Sequence, residues 1–122
     1  MILVDTSVWI DHLRAGDKEL ARLLEQANVL MHPWVLGEIA LGNLRQRRTI
    51  LDALSNLPQI PCADDAEMLH FIESAGLGGA GIGYVDAQIL AAARLAPGTA
   101  VWTRDKRLLN IAGQLSLAAG LD

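Results

Sequence analysis

Short apolar runs alternating with helix-patterned segments predict an α/β domain built on a parallel sheet. Three observations carry that expectation. The chain opens on ILV, which ends in Asp5 and passes straight into a helical pattern. A second run, NVLM, spans residues 28–31. A third covers Ala100 to Thr103 and is again followed by an acid, Asp105, and a helix. Open α/β sheets collect their chemistry at the carboxyl ends of the strands, so acids placed directly after the first and last runs are candidates for a site.

The elements follow in order. Residues 2–5 read as a strand, after which Thr6 or Ser7 can cap a helix starting near Val8. Asp17 to Gln26 carries Leu20, Leu23 and Leu24 at helical spacing with charges between them. Pro33 favours a helix start, and that helix, holding Glu38, is expected from Trp34 to about Leu44. Another helix runs from about Thr49 to Leu54, before the extended segment LPQIPC, whose two prolines disfavour a central strand. Asp64 to Ala75 is amphipathic, and the glycine-rich GLGGAGIG separates it from the helix YVDAQILAAAR, which ends at Pro97 and Gly98. Ala87, Ala91, Ala92 and Ala93 keep that helix slim enough for close packing. Lys106 to about Ala119 reads as mostly helical, with a break at Gly113.

A chain of 122 residues supports one domain, residues 1–122, with one core. Hydrophobic content of 52% and a mean hydropathy of +0.28 are high for so small a domain, which implies apolar surface that meets another chain. Apolar stretches fall short of the roughly 18–20 residues that span a bilayer, and the amino terminus lacks a basic leader pattern. A soluble cytoplasmic protein with no membrane partner is expected. Cys62 is the only cysteine, which excludes an intrachain disulfide and a cysteine-rich zinc site. His12, His32 and His70 show no zinc spacing and receive no catalytic role.

Formal charge is -4, from 14 acids against 10 bases. With Asp5, Glu38, Asp86 and Asp105 set aside, ten acids face ten bases, so this quartet accounts for the whole excess. Glu38 and Asp86 stand in helices among Ile, Leu, Val and Ala, and a carboxylate in apolar company needs a partner. Any one of these acids alone reads as a helix cap or ion pair. Four of them from separate elements suit a hard divalent ion, which prefers oxygen ligands and can activate water and neutralise charge on a phosphodiester.

The segments VDTSVWID, GEIALG, IGYVDAQILAAA and WTRDKRL, in this order and spacing, resemble the successive motifs of the PIN domain family. Within it the chain is most similar to the VapC-type toxin ribonucleases of bacterial toxin–antitoxin systems. The resemblance covers essentially the entire chain. It implies a PIN-like three-layer α/β/α fold with a short central parallel sheet, and a metal-dependent endoribonuclease that inhibits translation until an antitoxin neutralises it. It implies Asp5, Glu38, Asp86 and Asp105 as metal ligands, Thr103 as a catalytic hydroxyl, Ser7 as a second orienting hydroxyl, and Mg²⁺ or Mn²⁺ as the ion. A VapB-type antitoxin, a homodimer, a hetero-oligomer with the antitoxin, and RNA such as transfer or ribosomal RNA are the implied partners. Some relatives carry a further acid after the last aspartate, where this chain has Lys106 and Arg107. One firmly held ion, with another arriving alongside substrate, is therefore expected. The rival functions are a structure-specific DNA nuclease of the same fold and an inactive protein-interaction module.

Arg45, Arg47 and Arg48 follow the Glu38 helix, and Arg104 precedes Asp105, so these side chains are candidates for gripping RNA phosphates. Their plainer reading is a solvated face. Gly76 to Gly81 matches GxGxxG but follows a helix instead of a strand, which argues against dinucleotide binding. Trp9, Trp34 and Trp102 lie beside three of the four motifs, where base stacking is an alternative and core or subunit packing is the expected role.

Overall fold

The computed structural model describes residues 1–121. Three parallel strands form the sheet in the order β2-β1-β3: β1 is Ile2–Val4, β2 Val29–Leu30 and β3 Ala100–Trp102. Ile2 pairs with Val29 on one side and Ala100 on the other, and Val4 pairs with Trp102. Single parallel bridges extend both edges, Met31 to Gln59 and Val101 to Ala118. The first lies between the two prolines of LPQIPC, and its place at the edge is the one proline tolerates.

Between β1 and β2 run α1 (Thr6–Ala15) and α2 (Lys18–Glu25); α3 (Pro33–Leu41) and α4 (Arg47–Ser55) lead on to the Gln59 edge. The chain then returns across the sheet through α5 (Asp65–Ser74) and α6 (Tyr84–Leu95) to β3, and α7 (Lys106–Gln114) leads to the Ala118 edge. Right-handed crossovers put the connections running in one direction on one face and those running back on the other. The packing agrees: α1 lies on α3 and α3 on α4, while α5 lies on α6 and α6 on β3; α3 and α6 also touch, bringing the two layers together. The expected α/β/α layering is therefore realised.

Local chemistry explains the boundaries. Asp17 caps α2 through the Leu20 amide, and Asp64 with Glu67 forms a reciprocal capping box on α5. Leu3, Val4, Val8, Leu20, Met31, Ile89 and Leu90 are fully buried, and Ala87 and Ala91 to Ala93 let α6 sit close against the sheet. Among the described residues no helix is long and apolar enough to cross a membrane.

Three sequence expectations need correction. The first helix begins at Thr6, with Asp5 as its cap, so Thr6 and Ser7 lie inside the first turn. An acid directly after a strand can perform the capping that the hydroxyls were expected to supply. The last helix ends at Gln114 instead of near Ala119: Ser116 takes a positive φ of 59°, and the chain doubles back so that the Val101 amide donates to Leu117 O at 2.7 Å. Apolar side chains in LSLAA suit an edge strand as well as a helix, and the bridge to Val101 decides between them. Finally, α4 starts at Arg47, two residues ahead of expectation, so Arg47 and Arg48 belong to a helix.

Candidate active site

Asp5 follows β1 and Asp105 follows shortly after β3, and these two strands are neighbours. The connection leaving β1 runs one way across the sheet and the one leaving β3 runs the other, so the two acids flank a topological switch point, where open sheets form their crevice. Asp86, in the first turn of α6, and Glu38, in α3, approach from two further elements.

Asp5 is buried, yet its Oδ2 is fully engaged. It accepts from the Ser7 hydroxyl at 2.7 Å, the Thr103 hydroxyl at 2.7 Å and, more weakly, the Ser7 amide at 3.4 Å. Ser7 Oγ accepts from the Arg104 amide at 3.0 Å, and Thr103 Oγ1 from the Asp105 amide at 3.1 Å. This chain of bonds ties the turn after β1 to the turn after β3 and holds Asp5 in one orientation. Asp105 caps α7 by accepting from the Leu108 amide at 2.9 Å with Oδ1. Glu38, on an exposed face, takes a 2.6 Å bond from the Thr6 hydroxyl.

Asp86 reports on all the others. Burial raises its pKa to about 6, with Asp5, Asp105 and Glu38 adding repulsion in that order and a backbone bond from Gly83 opposing them. Asp86 therefore feels the charge of the three other acids through space. Among the described residues, no three His, Cys, Asp or Glu side chains are arranged closely enough to hold a metal ion as they stand. The arrangement is an open acidic crevice, with Asp5 and Asp105 fixed by hydrogen bonds and the longer Glu38 tethered to Thr6. Its all-oxygen donor set fits a hard divalent cation, and the repulsion at Asp86 is what such an ion relieves.

Asp86 and Asp105 line a groove with Gly81, Ile82, Lys106, Arg107 and Asn110. Arg107 donates to Gly81 O at 3.0 Å, fastening the glycine-rich loop to α7. Glycine suits this position because φ at Gly81 is +83°, and a Cβ there would also make the Arg107 guanidinium shift.

The arginines picked out from sequence separate. Arg104 donates to Asp11 Oδ2 at 2.8 Å and Asp17 Oδ2 at 2.5 Å and lies 5.3 Å over the Trp102 ring, bracing the Thr103–Asp105 turn against α1 and α2. Its guanidinium holds the Asp17 carboxyl below the ordinary value. Arg47 donates to the Gly42 and Ala40 carbonyls and so closes the end of α3. Arg45 and Arg48 are exposed. Arg104→Ala should lower stability by about 1–2 kcal/mol, since charge-assisted bonds at a partly buried site contribute roughly that much. Urea unfolding of Arg104→Ala, Asp17→Ala and the double variant checks it: fully additive losses contradict the brace.

Sequence reasoning missed Thr6 as the partner of Glu38 and His32 as the cap of α3, where its Nδ1 accepts from the Trp34 amide at 3.0 Å. His32 is wholly buried, and burial lowers its pKa. Its position directly before Pro33 was the available signal. Trp9 and Trp102 are buried as expected, whereas Trp34 is exposed.

The PIN domain family matches residues 2–114. The ribonuclease VapC32 of Mycobacterium tuberculosis, from two strains, is 49% identical over 108 residues, covering 88% of this chain and 87% of the relative. Among solved structures, that of FitAB bound to an IR36 DNA fragment superposes with a TM-score of 0.61 at 20% identity, covering 93% of this chain and 91% of that one. That likeness is one of fold.

Proposed function

Because the chain belongs to the PIN domain family and to its VapC-type branch, we propose that it is a metal-dependent endoribonuclease, the toxin of a type II toxin–antitoxin pair. The observation that carries the reading is the acidic crevice: carboxylates from four elements gather at one switch point, where burial first and the repulsion of Asp5, Asp105 and Glu38 second push Asp86 up to about 6. Asp5, Glu38, Asp86 and Asp105 would hold Mg²⁺ or Mn²⁺. When bound, such an ion neutralises charge on the phosphodiester and lowers the pKa of the attacking water.

The protein's own groups do the rest. Ser7 and Thr103 fix the Asp5 carboxylate through their 2.7 Å bonds. Lys106 and Arg107, at the groove beside Asp105, supply positive charge for RNA phosphates, and Arg45 and Arg48 extend it along an exposed face. With Arg104 and Arg47 bonded within the fold, their part is to support the site. Leu41, 90% exposed at the end of α3, and Leu69 and Leu95 leave apolar surface for a VapB-type antitoxin and for a second copy of the chain. The toxin acts in the cytoplasm, where cutting RNA arrests translation until the antitoxin covers the crevice.

Incubation of the purified chain with total RNA tests this reading. Fragments should appear with Mg²⁺ or Mn²⁺, vanish with a chelator and be suppressed by the antitoxin encoded beside it. RNA left intact with every divalent ion tried contradicts the assignment.

A further inference from the structure

Five aromatic residues occur in the chain. Trp9, Trp102 and Phe71 are buried, while Trp34 and Tyr84 are 41% and 45% exposed. These two touch each other edge to face, with ring centroids 5.3 Å apart and planes inclined by 63°. Trp is the side chain a small domain most gains by burying, yet this one stands in water against the chain's single tyrosine.

Their position gives the exposure a use. Trp34 lies one helical turn, about 5.4 Å, before Glu38 and on the same side of α3. Tyr84 opens α6, whose first turn also carries Asp86. The contact thus bridges the amino-terminal ends of two helices that each deliver an acid to the crevice. Pro33 and the His32 cap hold the start of α3, and Gly83 leads into α6. Both helix ends direct backbone N–H groups outward, which favours phosphate nearby.

We propose that Trp34 and Tyr84 form a stacking platform for an unpaired nucleobase of the RNA, next to the phosphate presented to the acids. This deepens the nuclease reading and rests on it. Stacking on aromatic rings suits an enzyme that must fix a flexible single strand, because every base has a face to offer. A peptide strand is served better elsewhere, by the apolar groove between α5 and α6 lined by Phe71, Ala91 and Leu95.

The test compares the wild-type chain with Trp34→Ala, Trp34→Phe and Tyr84→Ala. Each is titrated in chelator with a mixed-sequence single-stranded RNA and with an abasic strand of equal length. Each alanine variant should bind the base-bearing RNA roughly tenfold more weakly, the abasic strand unchanged, and Trp34→Phe should retain most of the affinity. With Trp9 and Trp102 buried, wild-type emission should be quenched by the base-bearing strand alone. Equal affinities in all four proteins, equal losses on both strands, or no RNA binding by the wild type would overturn the platform. If wild-type cleavage with Mg²⁺ persists in that case, the nuclease reading stands; stacking without cleavage leaves the platform and removes the nuclease.

Discussion

Asp5→Asn is expected to reduce RNA cleavage by well over about 100-fold, more than the loss typical of a residue that only supports a metal ligand, while the protein still folds. Asp5 is the most constrained of the four acids, being buried with Oδ2 held by Ser7 and Thr103. Asparagine preserves the volume and one accepting oxygen, so the turn after β1 stays tied to the turn after β3. What disappears is the negative charge. At the start of α1 that charge contributes about 0.3–1 kcal/mol through the helix dipole, whereas against Asp86 it is repulsive, and the two effects oppose each other. Stability should therefore change by less than about 1 kcal/mol, measured by thermal melting without cation, alongside cleavage rates in Mn²⁺. Undiminished cleavage by a folded Asp5→Asn protein would remove Asp5 from the site.

Much of this arrangement was legible in the chain because strands and acids announce each other. A three-residue strand surrounded by helices shows as an apolar run, and an acid at its end stands out as Asp5 and Asp105 do. The parallel order follows once helices separate the strands, and so does the crevice. Partners distant in sequence stayed hidden. A run such as Thr103-Arg104-Asp105 does not say that Arg104 turns back to Asp11 and Asp17, since a charged side chain reads alike on a solvated face and in an ion pair. Leu115 to Ala119 has the composition of helix and edge strand both, and only the positive φ of Ser116 and the bond to Val101 choose. Trp34 was expected in the core or against another subunit because its residue type favours burial. Its contact with Tyr84 depends on where α6 starts, far downstream.

Asp86→Asn should stabilise the cation-free protein at pH 7 while removing the stabilisation that Mn²⁺ confers. In the fold its carboxyl is raised from the ordinary 3.8 to about 6 by burial and by Asp5, Asp105 and Glu38. The folded protein therefore binds a proton more readily than the unfolded chain, and ionising Asp86 weakens the fold. Its contribution is most favourable below pH 3.8 and is lost as pH rises through about 6. Unscreened, a shift of this size corresponds to roughly 3 kcal/mol; Asp86 is only partly buried, and solvent screening leaves a loss on the order of 1 kcal/mol. Urea midpoints of the wild type in chelator should fall between pH 5 and pH 7, and Asp86→Asn should show a flatter profile. Saturating Mn²⁺ should reverse the fall in the wild type, because a ligand bound only by the folded state adds RT ln(1 + [L]/Kd). A wild-type profile already flat without cation, with Asp86→Asn melting below it at pH 7, would mean that neither burial nor the neighbouring acids penalise the ionised Asp86 carboxylate in the fold. The relief that an ion offers Asp86 would then be missing, so this profile tests that part of the site independently of any RNA.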